Sequence, residues 1–133
     1  MAKIESKEVT VNAPIQEVYD YLLNINNLQH LMPEDKVEKW ESTEDSCSFQ
    51  IKGLAKIGMR KESSQEPEKI HMVSEGKNPF EFTLDIMFTA ADQQTKSKMI
   101  FDADVNPFMK MMIDKPLTNF FNMLAEKLVE VKS

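Results

Sequence analysis

The chain has 133 residues, with 22 acidic against 16 basic side chains and a formal net charge of −6 at pH 7. Its length suits one domain over residues 1–133 with a sizeable core. The bases are interleaved with acids, as in Lys36-Val37-Glu38-Lys39, which argues against a nucleic-acid reader and gives little support for attraction to an anionic membrane surface.

The first chain segment with a clear pattern is Val9-Thr-Val11-Asn-Ala-Pro14, an edge strand that ends at an Asn-Ala-Pro corner. Pro14 suits the first turn of a helix, where its missing N–H removes a donor the helix cannot use. Ile15, Val18, Tyr19 and Leu22 follow at helical spacing and form one apolar face. A second short helix then ends at Leu31-Met32-Pro33. Ahead of this region, Met1–Glu8 carries charges where a signal peptide needs an apolar stretch. No uncharged apolar run reaches the ~18 residues of a membrane span. A cytoplasmic protein without stable membrane insertion is the expectation.

The middle of the chain alternates. In Cys47–Gly53 the odd positions are apolar or small; in Phe80–Phe88, Phe80, Phe82, Leu84, Ile86 and Phe88 share one face. In 96–105, Ser97, Met99, Phe101, Ala103 and Val105 oppose Lys96, Lys98, Ile100, Asp102 and Asp104. An antiparallel sheet with one wet face produces this period of two. Turn residues separate the runs at 43–46, 65–68, 76–79 and 91–94. Cys47, the sole cysteine, sits among strand residues and reads as a buried small hydrophobe; alone, it makes no internal disulfide.

After Asn106-Pro107 the period changes to that of a helix. Ile113, Leu117, Phe120, Phe121, Leu124, Leu128 and Val131 form an apolar stripe, with Glu126, Lys127 and Glu130 opposite. Pro116 lies inside this segment and predicts a bend or break, with a short helix at about 107–114 and a longer one at about 116–131. The predicted order is strand, two short helices, six strands, long helix: an α+β layout in which a curved antiparallel sheet wraps around the terminal helix.

That order, with Asn12-Ala13-Pro14, Val18-Tyr19, Leu31-Met32-Pro33 and the closing helix, resembles the START-related (SRPBCC) superfamily of helix-grip domains, which includes the birch-pollen allergen and the polyketide cyclases. The resemblance covers essentially the whole chain. It implies an apolar cavity between sheet and terminal helix, holding a hydrophobic small molecule or lipid. Lining residues on this reading are Phe49, Ile51, Phe82, Leu84, Ile86, Met99 and Phe101 from the sheet, with Met109, Met112, Ile113, Leu117, Phe120 and Phe121 from the helix. Met109, Met111 and Met112, flexible and clustered, read as an adaptable lid hinged at Pro116.

Signs of catalysis are sparse. The two histidines, His30 and His71, lack the pairing of a zinc helix, and no metal, cofactor or phosphate-loop motif is expected. The inward strand positions are apolar, with Ser97 and either Thr10 or Ser74 as exceptions. A polyketide cyclase-like enzyme is the alternative, and it requires a titratable group such as His71 or Lys61 inside the cavity. A second alternative, a protein-interaction module with no partner specified, requires an exposed anchor such as Trp40 or the Met-rich segment.

Overall fold

A computed structural model describes residues 2–132. The elements are β1 (Ala2–Glu5), β2 (Val9–Val11), α1 (Ile15–Leu23), a 3-10 helix (Ile25–Leu31), β3 (Val37–Ser42), β4 (Ser46–Ile51), β5 (Ala55–Gln65), β6 (Lys69–Ser74), β7 (Phe82–Ala91), β8 (Gln94–Ala103) and α2 (Pro107–Val131). The strands make one curved antiparallel sheet in the order β1-β8-β7-β6-β5-β4-β3, with β2 also paired to β8. This is the α+β helix grip, and it contains one strand more than the sequence pattern predicts. β1 pairs Ala2 with Ala103 and Glu5 with Ile100, while β2 pairs Val9 with Ser97 and Val11 with Thr95. The two are one edge strand interrupted at 6–8. There the Ser6 N–H donates to the Met99 carbonyl and the Ser6 hydroxyl accepts from the Met99 N–H, both at 2.9 Å.

The alternation sets the layers. Phe82, Leu84, Ile86 and Phe88 of β7 and Ser97, Met99, Phe101 and Ala103 of β8 are buried on the concave face. The β7–β8 hairpin closes around Asp92-Gln93, where Asp92 takes φ 59°, the left-handed conformation that two-residue hairpins demand and Asp tolerates. At the opposite edge, β3 carries a bulge between Glu38 and Glu41, with Lys39 at φ 57°. The bulge swings Trp40 onto Phe49, stacked at 5.5 Å between ring centroids, and the indole N–H donates to Ser42. Trp40 is therefore half-buried at the sheet edge rather than an exposed anchor.

The corner at Asn12-Ala13-Pro14 is pinned from within. The buried Thr95 hydroxyl donates to the Ala13 carbonyl at 2.8 Å. Pro14 stands just outside α1 with ψ 152°, so the first helical residue is Ile15. Val18, Tyr19 and Leu22 bury one face of α1, as their spacing predicts. The second short helix has 3-10 geometry and buries Ile25, Leu28 and Leu31; the Asn24 side chain caps it by accepting from the Asn26 N–H.

α2 runs unbroken from Pro107 to Val131, through Pro116. The expected division into two helices does not occur. Proline removes one donor, the bond to the Met112 carbonyl, but Leu117, Phe120, Phe121, Leu124, Ala125 and Leu128 hold the helix against the sheet on the far side of it. The Asn106 side chain accepts from the Met109 N–H at 2.8 Å and caps the start, with Pro107 at the first helical position.

Candidate functional site

Where α2 crosses the sheet, the facing side chains are apolar. Leu28 and Met32 from the 3-10 helix and its end, Phe49 and Ile51 from β4, Ile57 and Met59 from β5, Leu84 from β7, Met99 and Phe101 from β8, and Leu117, Phe120, Phe121 and Leu124 from α2 surround a residual void of about 10 Å³. That is the room of about one water molecule, and with no polar partner such a void stays dry. A cavity of a few hundred Å³, the usual size for a small-molecule site, is not open here. Rings fill the space: Phe49 stacks on Phe120 at 6.0 Å, Phe120 meets Phe121 at 5.4 Å, Phe121 meets Phe101 at 5.1 Å, and Phe101 stacks on Phe82 at 4.8 Å.

Of the side chains expected to line a cavity, Phe49, Ile51, Leu84, Met99, Phe101, Leu117, Phe120 and Phe121 surround this void. Phe82, Ile86 and Ile113 are buried in the same core without bordering it. Met109 is only partly buried, and Met112 is 57% exposed, pointing away from the interior. Pattern reading missed five liners. Ile57 and Met59 are legible as a short alternation in Lys56–Arg60, and Leu124 lies on the helical stripe already identified. Leu28 and Met32 come from a helix whose 3-10 period no α-helical template matches.

Among the described residues, two surface grooves border the void, one of them, lined by Met32, Pro33, Met123 and Lys127 among others, through Met32. The other, of about 350 Å³, runs between the β4–β5 turn and α2, lined by Lys52, Gly53, Leu54, Pro116, Asn119 and Met123 among others, and it shares Ile51 and Phe120 with the void. Gly53 adopts φ +75° in that turn, and a Cβ there meets nothing within 4 Å. This second groove thus abuts α2 at the residue where the helix lacks a backbone bond.

Ionisable groups are spent elsewhere. Lys61 donates to the carbonyl of Leu23, the last residue of α1, at 3.0 Å and pairs with Asp45 at 3.2 Å, which satisfies a helix C-terminus. His71 is on the convex face, its Nδ1 against Asp85 and its Nε2 3.6 Å from Glu62, with Lys69 3.8 Å from Asp85. His30 is exposed. Thr10 points outward and Ser74 donates to Glu81 at 2.6 Å; Ser97 is the inward hydroxyl. Burial pushes the Cys47 thiol up to about 12, so it stays protonated and unreactive at neutral pH. Among the described residues, no group of three or more His, Cys, Asp or Glu side chains is placed to hold a metal ion. No helix among them is long and apolar enough to cross a membrane. The interior can exclude water and accept apolar matter, and among the described residues it holds no positioned acid–base pair.

No family model and no curated protein sequence matches the chain. Solved structures do match, over nearly its whole length. The protein XoxI from Bacillus cereus superimposes with a TM-score of 0.78 at 11% identity, covering 99% of this chain and 96% of the other. A protein from Chromobacterium violaceum gives 0.76 at 12%, covering 99% and 98%. A START superfamily protein from Mycobacterium smegmatis gives 0.71 at 10%, covering 99% and 97%. At such identities the likeness is one of fold: the chain has a START-like helix grip.

Proposed function

We propose that this protein binds a hydrophobic small molecule or lipid between the concave sheet and α2, for transport or sequestration in the cytoplasm. The observation that carries the reading is the arrangement around the void. An all-apolar space lies beneath α2, closed by Leu117, Phe120, Phe121 and Leu124, and the helix leading into that stretch is weakly held: in 107–116, Ile113 alone is fully buried. A ligand enters as the weakly held turns ahead of Leu117 give way and Phe120 and Phe121 swing off the space they close. Its free energy of transfer, about 25 cal/mol per Å² of apolar surface removed from water, offsets the contacts the helix gives up. Met99 and Met59 suit such repacking, since an unbranched thioether adapts to a new neighbour without a branched side chain's χ1 penalty.

The test is native mass spectrometry of gently purified protein, before and after mixing with fatty acids of graded chain length, an isoprenoid alcohol and a planar aromatic. A one-to-one adduct that survives desalting is expected with at least one of these. Adducts with none of them, in a protein that is folded by circular dichroism, would overturn the reading.

A further inference from the structure

The first turns of α2 present an apolar surface on the side opposite the core. Phe108 is 73% exposed, Met111 81% and Met112 57%. At i, i+3 and i+4 these three share one helix face, on which Lys115 follows. Farther along, the same face turns polar with Thr118 and Asn119. Nothing in the fold uses these side chains. Together they offer about 400 Å² of largely apolar surface at one projecting helix end.

We infer that this helix end docks reversibly on an anionic lipid bilayer. Two observations select that occupant. The first is charge. Residues 52–56 and 107–116 carry Lys52, Lys56, Lys110 and Lys115 against the single acid Asp114. All four lysines are exposed, and none has an ion-pair partner among the described residues. Strand register brings these two segments to one end of the sheet: β4 ends at Ile51 opposite Ala55, and β8 ends at Ala103, opposite Phe82 and Ala2, just before α2 begins. Other loops at that end carry five acids, Glu34, Asp35, Glu75, Glu81 and Asp104, against three bases, Lys36, Arg60 and Lys77. That leaves this end with seven bases against six acids in a chain of net charge −6, with Lys110 and Lys115 on the helix that bears the exposed apolar face. The even mixing of charges along the sequence hides this.

The second observation is area. Two copies apposed through this patch would bury about 800 Å² in total, short of the ~1,200 Å² of a stable interface. A bilayer needs neither a matching surface nor a large one. Apolar side chains sink about 5–10 Å to the acyl boundary while lysines remain among headgroup phosphates. Each lysine near an anionic leaflet adds a modest, salt-screened attraction.

The docked end is also the end where the groove beside Pro116 meets the void. On the reading proposed above, the bilayer is then the source or destination of the ligand. The docking itself does not require that reading.

Vesicle flotation tests it, with phosphatidylcholine alone and with about one-quarter phosphatidylserine. The expected result is binding to the anionic vesicles that weakens at least threefold in high salt. Phe108→Ser with Met111→Ser should reduce it at least tenfold. Lys110→Gln with Lys115→Gln should remove the preference for phosphatidylserine. All four positions are exposed, so the variants keep the wild-type melting temperature. Absence of wild-type binding, binding unchanged in the serine variant, or a concentration-dependent dimer abolished by the serine substitutions would each overturn docking. Adduct formation in native mass spectrometry reports the cavity separately: vesicle binding without adducts removes the cargo and leaves the docking, and adducts without vesicle binding do the reverse.

Discussion

The two parts of α2 on either side of Pro116, 107–115 and 117–131, share one continuous backbone, yet they are different objects. Residues 117–128 bury Leu117, Phe120, Phe121, Leu124, Ala125 and Leu128; residues 107–116 bury Ile113 fully and expose three large apolar side chains. Helical propensity does not explain the difference. Packing does, since most helix stability in proteins comes from an apolar face buried against something. The later part is an anchor. The earlier part is held by the cap at Asn106, by Ile113, by a partly buried Met109, and by continuity with the anchor.

The largest expected effect lies in the anchor. Phe120→Ala removes a ring that stacks on Phe49 and abuts Phe121, and should lower stability by about 3–5 kcal/mol. Phe108→Ala should change it by less than about 0.5 kcal/mol. Urea denaturation of both variants measures the contrast, and comparable losses would break it. An intermediate effect belongs to the boundary. Pro116→Ala restores a donor to the Met112 carbonyl and should raise stability by about 1–2 kcal/mol. In wild type, amide exchange should be faster over 108–115 than over 118–128, since local opening draws on weakly packed segments; the substitution should narrow that gap and, on the proposed function, slow ligand release. Uniform protection across Pro116 in wild type would mean that the helix behaves as one body. Smallest is the cap. Asn106→Ala loses the bond to the Met109 N–H and should cost about 1 kcal/mol, with faster exchange confined to 107–115. Spread of that effect past Leu117 would show coupling that the packing does not predict.

How far the fold was legible follows from the range of the forces involved. Period-two alternation in 80–88 and 96–105 is local, and the structure places Phe82, Leu84, Ile86, Met99 and Phe101 on the buried face accordingly. The Asn-Ala-Pro corner and the Asn106 cap are equally local. β1 was not legible, because Ala2-Lys-Ile-Glu5 is too short to show a period and becomes a strand only by pairing with β8. The bulge that turns Trp40 inward depends on Lys39 accepting a positive φ, and no residue type there signals it. The unbroken helix depended on a sum, one lost backbone bond against six buried side chains beyond it, which sequence inspection cannot weigh without the sheet. The candidate site divides in the same way. The inward face of β4, β7 and β8 was readable, whereas Met112 points outward, and the space left between the rings depends on how those from β4, β8 and α2 interlock.

Trp40 is the only tryptophan, and its stack on Phe49 has an optical consequence. Phe49 in turn stacks on Phe120 of α2, so the indole is two rings away from the helix. Any lifting of α2 that frees Phe120 loosens Phe49 and changes the polarity around the single ultraviolet fluorophore of its kind. The protein thus carries a built-in emission gauge of helix position, readable in real time without a label.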